Sequence, residues 1–293
     1  MIRVKKTLKK IICINKLTAS IYFSMQYSGK LTNNLLISRI QQIAHKFDQR
    51  LMKSFSPNKN DVFEMEYLLN VAKKRGLKFD DSLMWSLSLY TLAKMNAIGC
   101  YKAQEREKRS TSYNSILTEI IKSRRSVRIW NNSKINIDLI KSIIETSTWA
   151  PSSCNRQPIR IIILDDSQKE FIKEYFYGGF WHKAPVQLLV LCNNSANSEN
   201  ESFFPYLDGG AFIQNMLLLL NDAGLGACWL GFKKWDAEKK LFCNRKEFED
   251  FYEYFNIGKE LTPISMVVVG DYDTTPKSPL HHSLDTVIIG DKK

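Results

Sequence analysis

Apolar residues recur at helical spacing through the first third of the chain. Leu36, Ile40, Ile43, Phe47 and Leu51 form one stripe and Met65, Leu68, Leu69 and Ala72 a second, separated by Ser56-Pro57-Asn58, so two amphipathic helices joined by a turn are predicted. Asp80-Asp81-Ser82 predicts the cap of a third helix reaching about Ile98. Upstream, Val4, Leu8, Ile11 and Ile12 share one helical face while Lys5, Lys6, Lys9 and Lys10 lie elsewhere, a pattern that suits a membrane surface or packing on the same protein. Further along, Ile116, Leu117, Ile120 and Ile121 predict a short helix, and Leu139, Ile140, Ile143 and Ile144 another. Continuous apolar runs at 159–164, 186–192 and 264–270 predict buried strands, and residues 167–177, 236–242 and 246–255 suit helices. Residues 206–220 start near Asp208, the expected N-cap, and are apolar nearly all round, as a fully buried helix would be. Residues 224–232 read as a helix stop followed by a strand.

Charge divides the chain at the same place as the pattern. Of 293 residues, the first 110 hold 21 Lys and Arg against 8 Asp and Glu, whereas 111–293 hold 21 against 22. Two units with different surfaces are therefore expected: a basic all-α extension over 1–110 and a second unit over 111–293, linked by the charged segment 104–112. The basic half shows no nucleic-acid-binding signature, so a solvated surface is expected rather than a nucleic-acid partner. Six scattered cysteines, with neither a CxxC pair nor a His at ligand spacing, read as reduced thiols of a cytoplasmic protein without a metal site. The run 11–14 is too short for a secretory core, and no stretch approaches the ~18 apolar residues of a membrane span.

Two stretches carry candidate chemistry. Between Pro151 and Pro158 the backbone must leave a helix, stay irregular and enter a buried strand. Ser152, Ser153, Asn155 and Gln157 place donors and acceptors in that arc, which suits the heteroatom edge or hydroxyls of a polar planar ligand; the same groups also suit satisfying their own backbone. Arg124, Arg125, Ser126 and Arg128 bring three guanidiniums and a hydroxyl around one turn, enough to hold a phosphate or simply to remain solvated. His45 reads as a core or interface residue, and His182 beside Lys183 is weak support for acid-base work. Gly224-Leu225-Gly226 lacks the longer dinucleotide fingerprint.

Arg124-Arg125-Ser126-Val127-Arg128, followed by Ala150-Pro151-Ser152-Ser153-Cys154-Asn155-Arg156-Gln157-Pro158, closely resembles the FMN-dependent nitroreductase family in order and spacing. The helix around Asp208, Gln214 and Asn215 and the stretch Gly224-Leu225-Gly226-Ala227-Cys228-Trp229-Leu230-Gly231 look like two further motifs of that family. The resemblance covers roughly 111–293 and implies an α+β fold, a mostly antiparallel sheet flanked by helices, assembled as an intertwined homodimer with two shared FMN sites. It implies that Arg124, Ser126 and Arg128, with Arg125, hold the phosphate and ribityl chain, and that Gln157 and the partner's copies of Pro151, Ser152, Ser153 and Asn155 complete the site. The backbone at Leu230 and Gly231 would run along the isoalloxazine, glycine letting an N–H approach N5. In the tail, His281-His282 stand where the family has a basic pair, with Lys277 a substitute cation. Asp208, Gln214 and Asn215 are expected to be structural, and Phe180 or Trp181 either to wall a substrate pocket or to pack in the core. Ala44-His45-Lys46-Phe47-Asp48-Gln49-Arg50-Leu51 looks like a degraded form of a stretch found in helical extensions of some relatives. The activity implied is hydride transfer from NADH or NADPH through flavin to a nitroaromatic- or quinone-like acceptor, with no catalytic side chain named. The alternatives are a binding or scaffold module that has lost turnover, and a specialised flavin-dependent reduction in a biosynthetic pathway.

Overall fold

The computed structural model describes residues 16–29, 31–52, 57–79, 81–97, 115–176, 178–194, 201, 203–232 and 245–288. The predicted segments 4–12, 104–112 and 236–242 lie outside these residues.

Four helices open the described chain: α1 (Lys16–Tyr27), α2 (Asn33–Met52), α3 (Lys59–Lys74) and α4 (Asp81–Ala97). Leu36, Ile40, Ile43 and Phe47 of α2 are wholly buried against Met65, Leu68 and Ala72 of α3 and Leu83 and Tyr90 of α4, so the stripe becomes a core of its own. Asn58 starts α3 by accepting a hydrogen bond from the Asn60 backbone at 2.9 Å. The wholly buried Glu64 carboxylate accepts from Arg39 Nε at 2.7 Å and from the Tyr27 hydroxyl, tying α1 and α2 to α3. Burial and that carboxylate push the Tyr27 hydroxyl well above its ordinary ionisation range.

The second unit is α+β. Its strands are β1 (Ile159–Ile163), β2 (Val186–Asn193), β3 (Gly226–Leu230) and β4 (Leu261–Gly270), in the order β1-β2-β4-β3 with every pair antiparallel. Both faces of β2 and β4 are covered, which is why they read as unbroken apolar runs. Val186, Leu188 and Val190 join Val267 and Val269 under α6 (Ile137–Ser147) and α8 (Phe204–Asp222). The alternate positions, Leu189, Leu191, Met266 and Val268, face Ile172, Trp181 and Phe251. The helices α5 (Ile116–Ser123), α7 (Asp166–Phe171), α9 (Arg245–Phe255) and α10 (Leu284–Val287) complete the described elements.

Several expectations are corrected. The helix at 167–177 is α7 followed by a 3-10 turn, Ile172–Tyr175. Strand β4 begins earlier than predicted and includes Pro263, tolerated because the register shifts between Val190 and Leu191, which pair with Ser265 and Pro263. Asp208 is not an N-cap: α8 starts at Phe204 with Pro205 in its first turn, so Asp208 lies inside the helix. Nor is α8 buried all round, since Leu207 remains 59% exposed and Gln214 is exposed.

Candidate functional site

Helix α5 delivers the basic turn. Ser115 caps its start, and the chain leaves it at Arg124 in an extended conformation, φ −55° and ψ 129°. It then runs beside β3: Ser126 pairs with Ala227 in parallel, and the Val127 N–H donates to the Ala227 carbonyl at 3.0 Å. Gly226 makes this approach possible, because a Cβ there would lie 2.8 Å from Val127 Cβ and 2.7 Å from Tyr272 Cδ1. The Arg124 and Arg128 guanidiniums are near enough to β3 to oppose, by charge, the burial that pushes the Cys228 thiol up. Arg125 turns back instead, its Nη1 donating to the Lys122 carbonyl at 2.6 Å and the Arg124 carbonyl at 2.9 Å.

Beside this turn lies a hollow of about 410 Å³ lined by Ser126, Arg128, Trp130, Asp273, Thr274 and Pro276 among others. The structure thus brings Ser126 and Arg128 beside residues 273–276 of the tail. Lys277, next in the chain to Pro276, and His281 are both exposed. Asp273 was missed by sequence reasoning; its carboxylate accepts from Asn131 Nδ2 at 2.9 Å. A second hollow of about 440 Å³ borders Arg128 on the side of Phe180 and Lys183. There Arg128 lies 5.9 Å from the Phe180 ring centre, and Phe180 stacks on Trp130 at 6.2 Å. Phe180 is therefore the half-exposed wall residue, whereas Trp181 is a core residue. Burial, then Lys173, holds the His182 imidazole below its ordinary range, with Glu170 opposing.

The central loop is a separate construction. Ser152 is extended, a 3-10 turn spans Ser153–Asn155, and Cys154, Asn155 and Gln157 have φ of 52°, 52° and 49°. Ser152 Oγ accepts from the Gln157 N–H at 3.0 Å, and Asn155 Oδ1 from Gln157 Nε2 at 3.3 Å. The Ser153 N–H donates to Asp208 Oδ1 of α8 at 3.0 Å, and α2 of the helical unit also packs on this turn. A hollow of about 140 Å³ is lined by Pro151, Ser152, Gln157, Arg160 and Asp208 among others. It shares no lining residue with the hollow at the basic turn, so one protomer does not bring the two motifs together in a single described pocket.

Leu230 closes β3, its carbonyl accepting from Ser265 Oγ at 2.5 Å. Gly231 follows, exposed, and a Cβ on it would meet nothing within 4 Å among the described residues. Among the described residues no cluster of His, Cys, Asp or Glu is placed to hold a metal ion, and no helix is long and apolar enough to cross a membrane.

These features define an α+β protein whose outer strand carries a cationic turn at one end and an open glycine backbone at the other. A family model described as "Nitroreductase family" matches residues 121–179 and 169–271, just over half of the chain. The chain belongs to the nitroreductase family. A protein of Methanothermobacter thermautotrophicus named "Putative NADH dehydrogenase/NAD(P)H nitroreductase" is 29% identical over 154 residues, covering 52% of this chain and 75% of that one. A protein of Archaeoglobus fulgidus with the same name is 27% identical over 158 residues, covering 52% and 83%. The fold matches a crystal structure from Desulfovibrio desulfuricans, described as a "putative nitroreductase in complex with fmn", with a TM-score of 0.51, 22% identity and coverage of 61% and 99%.

Proposed function

We propose that the protein is an FMN-dependent oxidoreductase that passes hydride from NADH or NADPH to a small nitroaromatic- or quinone-like acceptor, working in the cytoplasm as a homodimer with shared sites. The observation that carries this reading is the pairing of the basic turn with β3. Four residues of extended strand, roughly 13 Å, separate Ala227, beside Ser126, from the open backbone at Gly231. Cationic donors at one end and an unobstructed backbone at the other suit a long ligand with a phosphate tail and a planar head.

FMN would supply a two-electron hydride carrier between nicotinamide and acceptor. The chain's own residues then bind and orient. Arg124 and Arg128 neutralise the phosphate, Ser126 donates a hydroxyl, and Arg125 holds the turn through its carbonyl contacts. The Gly231 N–H approaches the ring with no side chain in the way. Pro151, Ser152, Ser153 and Asn155 form the other wall from the second protomer, and Gln157 completes the site, in keeping with the separate linings of the two hollows within one chain. Lys277 adds a cation and His281 an imidazole from the tail. The open apolar faces of α5 and α8 supply the contact surface for a second copy.

The test is the double variant Arg124→Ala with Arg128→Ala, expected to purify colourless and free of FMN. Flavin retained at wild-type stoichiometry would reject the phosphate assignment. Asp273 inside the hollow favours the second reading, a family member that has become a scaffold anchored by its basic half. A yellow protein bleached by NADH or NADPH selects the enzyme, and a colourless one that pellets with anionic vesicles selects the scaffold.

A further inference from the structure

We propose that Asp208 is a positioning residue: its carboxylate takes the Ser153 N–H, facing the Arg156 guanidinium that Glu201 pairs, and so fixes the turn that presents Ser152, Ser153, Asn155 and Gln157. The link to flavin rests on the function proposed above; the link to loop geometry does not.

Three of four consecutive residues in this loop, none of them glycine, sit in the left-handed region, a conformation that only Asn among them tolerates readily. Such a backbone persists when its surroundings over-determine it. Bonds from Asn155 N–H to the Ser152 carbonyl at 3.0 Å and from Arg156 N–H to the Ser153 carbonyl at 3.1 Å close the turn on itself. The Ser153 to Asp208 bond then ties it to a helix 55 residues away. Beneath it, the Arg156 side chain is 1% exposed and Nη2 lies 3.2 Å from both Glu201 oxygens. Two polar links therefore meet at the loop, the Glu201–Arg156 pair and the Asp208 bond to the Ser153 N–H, and the Arg156 charge acts on Asp208.

Burial pushes the Asp208 carboxyl up, while the Ser153 N–H and Arg156 pull it back only in part. Cys192 also faces it, a thiol that burial and then Asp208 push up to about 12, with Arg160 opposing. A carboxyl whose folded pKa exceeds its unfolded one adds stability below the unfolded value and loses it as pH rises through the folded value. Burial thus opposes the charged form of Asp208. A charge kept against stability fits positioning better than scaffolding.

Cys154 is a free, half-exposed thiol inside the turn and senses its geometry without flavin. In the flavin-free full-length protein, Asp208→Ala is expected to speed alkylation of Cys154, located by peptide mass spectrometry, at least about tenfold, and to raise the FMN Kd by a similar factor. Asp208→Asn keeps an oxygen acceptor and is expected to restore slow labelling, with a Tm no lower than wild type. Ser153→Pro deletes the donor from the other side, and the extended Ser152, φ −134° and ψ 153°, is suited to precede proline. It is expected to label as fast as Asp208→Ala, while Ser153→Ala, which keeps the N–H, labels as wild type. Should Asp208→Ala not fold, Ser153→Pro and Asp208→Asn decide. Wild-type labelling in the variants that lose donor or acceptor overturns the proposal. A wild-type protein that never binds FMN sinks the flavin reading alone, and the Cys154 labelling rates then decide the role of Asp208 in the loop.

Discussion

In α2 of the helical unit, Leu36, Ile40, Ile43 and Phe47 are fully covered by neighbouring helices of the same unit. Helix α5 of the sheet unit carries a stripe of similar period, yet Ile116, Leu117 and Ile121 remain 76%, 55% and 49% exposed. The open side of α8, with Leu207, repeats the contrast. The α2 stripe is closed by its own neighbours, with the Glu64 carboxylate buried beside it, whereas the stripes of α5 and α8 stay partly open. Periodicity therefore announces that a face is apolar, while the covering element is a separate matter.

Breaking the closed side should have the largest effect. Glu64→Ala leaves the Arg39 guanidinium and Tyr27 hydroxyl without their shared acceptor, and each hydrogen bond to a charged group contributes about 1.5–3 kcal/mol. Chemical denaturation followed by circular dichroism should show that loss. At the site edge of the sheet unit, Gly226→Ala forces a methyl against Val127 and Tyr272, and overpacking of this kind costs about 1–3 kcal/mol. Because the displaced segment carries Ser126 and Arg128, FMN affinity measured by fluorescence should fall with it. The smallest change in protomer stability belongs to the open face: Ile121→Ser should stay within about 0.5 kcal/mol of wild type. Sedimentation should nevertheless show weaker self-association if the proposed homodimer uses this face, and an unchanged assembly would remove α5 from the proposed interface.

Strands β2 and β4 were legible because strands covered on both faces read as nearly unbroken apolar runs, and β1 because Arg160 alone interrupts its run. The basic turn was legible because its residues are adjacent, and their docking on β3 follows from Gly226. What escaped were contacts without a local signal. Glu201 reaches Arg156 across 45 residues from within a polar stretch that carries no periodicity. Asp273 enters the hollow from the tail. The left-handed turn at Cys154, Asn155 and Gln157 lacks the glycine that normally announces it.

By itself, the order of residues determined which segments are helices or strands, which faces are apolar, and the two polar motifs with their resemblance to a family. Local sterics and the hydrophobic period act within a few residues, so these are written along the chain. Only the tertiary structure decided that Asp208 lies within α8 and holds the central loop, that α2 rests on that loop, and that the two motifs open into separate hollows of one protomer. Those outcomes depend on distances between elements far apart in sequence, which packing sets and no local pattern encodes.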